Sequence, residues 1–154
     1  MNKLTNEILA YAAGLLDGEG CIRIETGKGG KRAVSISYWL RVSITNADEP
    51  IVIWLKQYFG GQIHIHQQKN PKWKVSYIWR ITAVEASNFL KLLLPYIQIK
   101  KNQAEIAISF QEEKTYYYKH RDQNIIIPQD IIDKRELVRQ QLVQMKQEVG
   151  RFFI

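Results

Sequence analysis

Residues 10–24 read AYAAGLLDGEGCIRI, and the stretch changes character twice. The first half is small and apolar. With Thr5 and Asn6 as N-cap candidates, it predicts a helix from there to about Asp17, stopped by Gly18 and Gly20. From Cys21 to Thr26 the period becomes two. Ile22 and Ile24 fall on one side, and Cys21, Arg23 and Glu25 on the other, as in a half-buried strand. Between helix and strand stand two carboxylates, Asp17 and Glu19. A carboxylate at a helix C-terminus opposes the macrodipole, by some tenths of a kcal/mol at an exposed site. The pair therefore needs an offset, and a divalent cation held by carboxylate and backbone oxygens would provide one. On the helix, Ala10, Gly14 and Gly18 recur every four residues and share one face, with Ala13 beside them. Small residues there admit another backbone at close range, either from the same domain or from a second chain.

Working outward, Gly27–Lys31 is a turn, and Val34–Thr45 alternates again. Val34, Ile36, Tyr38, Leu40, Val42 and Ile44 stand on one side, and Ser35, Ser37, Trp39, Arg41 and Ser43 on the other. Asp48-Glu49-Pro50 opens a helix that Gly60-Gly61 stops near Phe59. Two further strands are predicted over Gln62–Gln68 and Lys74–Thr82. Their outward residues are Gln62, His64 and His66 on the first, and Lys74, Ser76, Ile78 and Arg80 on the second. Thr82-Ala83-Val84-Glu85 reads as a capping box starting a helix to about Leu94. Lys101–Glu113 reads as another helix and Thr115–Asn124 as a basic, aromatic loop. A last amphipathic helix beyond Pro128 carries Ile131, Val138, Leu142, Met145 and Val149 on its apolar stripe.

The order is αββαββα followed by C-terminal helices. It predicts an α+β fold with a four-stranded antiparallel sheet and helices on one face. The 154 residues are expected to form one domain, with a core over about 5–113 and a helical extension over about 114–154.

The formal charge of +7 favours a polyanionic partner. A single cysteine allows no internal disulfide, and no Cys/His zinc spacing occurs. The apolar run Ile8–Leu16 is too short to cross a membrane, so no membrane partner is expected. No targeting segment is seen, which points to an intracellular location.

The sheet face opposite the helices would present Arg, Gln, Ser and His with an aromatic. Such a face either meets water or reads base edges in a major groove.

Ala12–Gly20, AAGLLDGEG, resembles the LAGLIDADG motif of homing endonucleases. It is identical at Ala13, Gly14, Leu15, Asp17 and Gly20, and Ala12 replaces the leading leucine. The αββαββα order matches that family's fold. Residues 95–104, PYIQIKKNQA, resemble the segment bearing its active-site lysine. One copy of the motif places the chain in the single-motif, homodimeric branch.

The resemblance implies a site-specific, intron-encoded DNA endonuclease. It would make double-strand breaks at a long, near-palindromic target in double-stranded DNA, with Mg2+ or Mn2+. It implies that Glu19 and the Gly18 carbonyl bind metal, that Lys100 stabilises developing charge, and that Asn46 orders solvent. It also implies that Ala10, Ala13 and Gly14 form the dimer seam, with Asp17 there as scaffold.

Arg23, Arg41 and Arg80 would read guanine and Gln62 adenine, Ile78 a thymine methyl and Glu25 cytosine. Ser35, Ser37, Ser43 and Ser76 would act through water, and Trp39, His64 and His66 complete the face. Lys28, Lys31, Lys69, Lys72, Lys119, His120 and Arg121 would meet phosphates. The rival is a cleavage-inactive DNA- or RNA-binding relative such as an intron maturase, which would lack the acid or the lysine; both are present. The compartment would be whichever holds the intron-bearing genome.

Overall fold

The computed structural model describes residues 2–28, 31, 35–122 and 126–152, with side chains as far as 148. In chain order the elements are α1 (Asn6–Glu19), β1 (Gly20–Lys28), β2 (Ile36–Asn46), α2 (Glu49–Phe59), β3 (Gln62–His66), β4 (Ser76–Thr82), α3 (Ala83–Leu93), α4 (Lys101–His120) and α5 (Gln129–Phe152). The strands form one antiparallel sheet in the order β1-β2-β4-β3. This is the expected α+β architecture. Of the residues assigned above, Gly29, Gly30, Val34 and Asn124, and the side chain of Val149, lie outside those described.

The inward phase of the strands makes the core. Ile22, Leu40, Val42, Ile44 and Trp79 have no exposed surface, and they meet Leu16, Val52, Leu55, Leu90 and Leu93 from the helices. Helix α1 runs through Gly18 and ends only at Gly20. A Cβ at Gly18 would meet nothing, so glycine there is compatible with the helix and does not stop it. A Cβ at Gly20 would fall 2.6 Å from the Leu16 carbonyl oxygen, so the switch from helix to strand requires glycine. The paired glycines after α2 act through dihedral freedom, with φ of 72° at Gly60 and 82° at Gly61.

Several boundaries differ from the sequence reading. β4 starts at Ser76 rather than Lys74, because the Ser76–His66 pair is the last between β3 and β4. Beyond it Asn70 organises a turn, its carbonyl accepting from the Trp73 N–H and its side-chain oxygen from the Lys72 N–H. Thr82 precedes α3, but its side chain makes no capping hydrogen bond, and Ala83 adopts a φ of 52°.

The largest change is in α4, which continues to His120 through the expected loop. Tyr117 and Tyr118 lie against the buried Arg135 guanidinium of α5, 5.3 and 5.5 Å away, so this aromatic run is a packing surface. Lys114 donates to the Tyr38 carbonyl.

Helix α5 packs on β1, an edge strand, and on α4. Leu142 is buried and Val138 partly so, as the stripe predicts. The Tyr38 hydroxyl donates to Glu136 at 2.9 Å and ties α5 to β2. Arg139 grips the same carboxylate at 2.6–3.2 Å.

The Arg139 guanidinium, helped by Tyr38 and Gln140 against desolvation, holds the Glu136 carboxyl at about 2 rather than 4.5. A depressed folded-state pKa contributes stability that is complete above the ordinary value and lost as pH falls through the folded one. Urea unfolding followed against pH should therefore weaken between 4.5 and about 2. Glu136→Gln should flatten that part of the profile, and an unchanged profile would show that this carboxylate does not hold α5.

Candidate catalytic corner and nucleic-acid interface

The buried Leu16 anchors the end of α1, and the next residue faces the chain entering α4. One Asp17 carboxylate oxygen accepts the Gln98 N–H at 2.8 Å and the Ile99 N–H at 3.2 Å. The other accepts the Lys100 N–H at 3.0 Å. These amides belong to the segment that leads into α4 and ends at its N-cap, Lys100, next to the positive dipole end that favours an anion. In return, the Lys100 ammonium donates to the Leu16 and Asp17 carbonyls at 2.8 and 2.7 Å, capping the C-terminus of α1. Burial lowers the Lys100 pKa, and Asp17 opposes that shift.

The two helix ends thus cap each other through one side chain apiece. The offset expected from a cation is supplied to Asp17 by the protein itself. Glu19 remains exposed, with no hydrogen bond or ion pair among the described residues.

Ala10, Gly14 and Gly18 form an exposed stripe on α1, and nothing stands within 4 Å of a Cβ placed on Gly14. Ala13 does not belong to it. It has no exposed surface and packs in the chain's own core. Its helical position turns it inward beside Ala12, so the assignment of Ala13 to a dimer seam is corrected. Asp17 likewise directs its carboxylate to the α4 amides.

The opposite face of the sheet gathers the outward residues. Arg23 lies opposite Arg41, Glu25 opposite Trp39, and Gly27 opposite Ser37, with Ser35 just ahead of β2. Ser43 lies between Cys21 and Arg80, and Arg80 faces Gln62. Ile78 lies between Thr45 and His64, and Ser76 faces His66.

The β1–β2 and β3–β4 hairpins are offset along the strand direction. From the Lys28–Ile36 pair to the Ser76–His66 pair the face runs eleven residue steps. That is about 36 Å at ~3.3 Å per step, or roughly 11 base pairs at ~3.4 Å. Strand β2 alone, Ile36–Asn46, covers ten of those steps.

Some assignments change in detail. Glu25 is engaged by Arg41 at 3.0 Å and Arg23 at 3.6 Å, so in this structure it holds two arginines rather than offering a free acceptor. Ser43 is nearly buried. Arg41 Nε and Arg80 Nε are buried without a hydrogen-bond partner among the described residues. Asn46 falls in phase with the inward Ile44, and its side-chain oxygen accepts the Asp48 N–H at 2.8 Å at the entry to α2. Near the far end of α4, His120 stacks on Tyr116 at 4.1 Å and Arg121 lies over Tyr118 at 4.7 Å.

Three face residues escaped the sequence reading of the site. Cys21 and Thr45 share the phase of Arg23 and Ser43, so alternation could have found them. Lys146 of α5, whose ammonium lies 3.3 Å from the Cys21 sulfur, has no local signal. Burial pushes the Cys21 thiol up, but Arg23 and Lys146 beside it outweigh burial and leave its pKa lowered.

No group of three His, Cys, Asp or Glu side chains able to hold a metal occurs among the described residues. One chain brings the Glu19 carboxylate and the Gly18 carbonyl to the corner. That is too few oxygens for a hard cation by itself. It fits a site completed by a second copy, water and phosphate oxygens. Also among the described residues, no helix is long and apolar enough to cross a membrane.

A family model described as LAGLIDADG endonuclease matches residues 12–117. No curated protein matches significantly. Among solved structures, the homing endonuclease I-CvuI in complex with the I-CreI target is 14% identical, with a TM-score of 0.69 over 89% of this chain and 80% of that one. The archaeal intron-encoded homing endonuclease I-Vdi141I, complexed with DNA, is 14% identical, with a TM-score of 0.68 over 89% and 82%. The LAGLIDADG meganuclease I-AabMI, bound to uncleaved DNA, is 14% identical, with a TM-score of 0.66 over 91% of this chain and 48% of that one. At these identities the likeness is one of fold.

The mutual cap can be broken from one side. Asp17→Asn removes the charge and leaves one carbonyl oxygen for three N–H donors. It should lower unfolding stability by about 2–4 kcal/mol in urea titrations. A loss within ~0.5 kcal/mol, the range of neutral surface changes, would mean that the corner does not depend on this carboxylate.

Proposed function

The chain belongs to the LAGLIDADG endonuclease family, and from that premise we propose that it is a homing endonuclease that cuts both strands of duplex DNA at a long, near-palindromic site. The observation that carries this reading is the placement of an exposed Glu19 and of Lys100, which caps α1, at one corner of a long polar sheet face.

One chain offers one such corner, so cutting two strands takes two copies. The exposed stripe of Ala10, Gly14 and Gly18 is the surface on which α1 helices would meet. The coverage of I-AabMI supports this, because a chain that this one covers by 48% has room for a second unit.

Glu19 and the Gly18 carbonyl of each copy would hold divalent cations beside the scissile phosphates. Such cations, Mg2+ or Mn2+, supply water activation and stabilisation of the leaving oxygen. Lys100 uses two of its three N–H donors on α1 carbonyls. The third is available for the charge that develops on phosphate. Asp17 positions Lys100 through its backbone. Asn46, close to the sheet end of the same corner, orders solvent there.

On the face, Arg23, Arg41 and Arg80 read guanine and Gln62 reads adenine, while Ile78 meets a thymine methyl. Glu25 aims two of these arginines. The surplus positive charge binds the DNA backbone, so affinity falls steeply with salt. The protein acts wherever its intron-bearing genome lies.

Selecting cut sites from a randomised duplex library with magnesium tests the reading. Wild-type protein should recover one long, roughly two-fold symmetric sequence. Glu19→Gln should reduce cutting to background while retaining most of the binding. Cutting by the Gln variant would remove Glu19 from the mechanism, and a library neither bound nor cut would remove the endonuclease.

A further inference from the structure

The family match ends at residue 117, and α5 lies beyond it. This helix nevertheless reaches the catalytic corner. It runs along the outer edge of β1, from Glu136 near Tyr38 to Lys146 at Cys21. Cys21 is on the outward face of the sheet, two residues after Glu19.

The surroundings of Lys146 differ from those of the neighbouring cations. Arg23 and Arg41 share Glu25, Arg139 is bound to Glu136, and Lys100 caps α1. Lys146 is half-buried, and its hydrogen bond among the described residues goes to the Cys21 sulfur, 3.3 Å away. A thiol is a weak acceptor. A partly desolvated ammonium facing one is short of an anion. It is also close enough to Lys100 to act on it electrostatically.

We propose that Lys146 is a phosphate-binding residue delivered to the catalytic corner by the C-terminal helix. Its ammonium takes a backbone phosphate of the duplex where the strand passes the β1 edge, beside the cleavage position. This rests on the endonuclease reading and extends the DNA interface beyond the family match.

The test measures binding to a mixed-sequence linear duplex in metal-free buffer, between about 50 and 200 mM salt. Each phosphate contact contributes about 0.9 to the slope of log affinity against log salt. Lys146→Met removes the charge and keeps the aliphatic stem. It should reduce the slope by about 0.9 per protomer, or ~1.8 for a dimer. Lys146→Arg should restore it. Lys91→Gln removes the same charge from α3, on the helical side, where Lys91 pairs with Glu112 at 2.7 Å. Its slope should equal that of wild type.

A Met variant with the wild-type slope overturns the inference and leaves the endonuclease reading intact. Equal losses in the Met and Lys91 variants overturn it too, by showing a bulk charge effect. Wild-type protein without salt-dependent duplex binding overturns both. If Lys146→Met fails to fold by circular dichroism, Lys146→Gln is read against the same criteria.

Discussion

The structure depends on an exchange between two helix ends. Asp17 satisfies the amides entering α4, and Lys100 satisfies the carbonyls leaving α1. Each helix terminus would otherwise leave orphan groups at the same crowded corner. Because the exchange is mutual, neither helix can shift along its axis without opening hydrogen bonds to charged groups at both ends. The same bonds fix the backbone that bears Glu19 and the side chain of Lys100. Scaffold and candidate chemistry are one network here. That explains how two acids and a lysine occupy the point where α1 turns into β1.

Much of this was legible in the sequence where a local rule governs. Period-two alternation put Arg23, Arg41, Ser43, Arg80 and Gln62 on one face, and the pairing registers agree. Gly20 marked the end of α1 because close approach to Leu16 forbids a side chain. The failures have a common cause. Tyr117 and Tyr118 read as loop because their partner, Arg135, is supplied by α5. Ala13 looked like part of an outward stripe because small residues are ambiguous about which neighbour they admit. The need for a cation behind Asp17 disappeared once the α4 amides came into view. Each required knowledge of what another part of the chain brings, and spacing does not contain it.

The length of β2 matters as much as the alternation along it. β2 runs eleven residues, Ile36–Asn46, and by itself spans ten of the band's eleven steps. β1 pairs with one end of it and β3–β4 lie toward the other, so the outward residues form a narrow band about 36 Å long. The core is continuous along this length because β2 and β4 pair through Ile44–Trp79 and Val42–Ile81, which are buried together. A band of that shape suits a groove better than a disc of equal area would.

Glu25 introduces a different kind of constraint. Along most of the band each side chain stands opposite a partner on the next strand, and a lineage could exchange one such pair without disturbing the others. At Glu25 one carboxylate is shared by arginines on two strands. Changing either arginine releases charge onto the remaining pair, so effects at these three positions do not add. On the base-reading role proposed for this face, drift of a DNA target would therefore proceed letter by letter along most of the site. At this point it would move as a word, with three residues changing together.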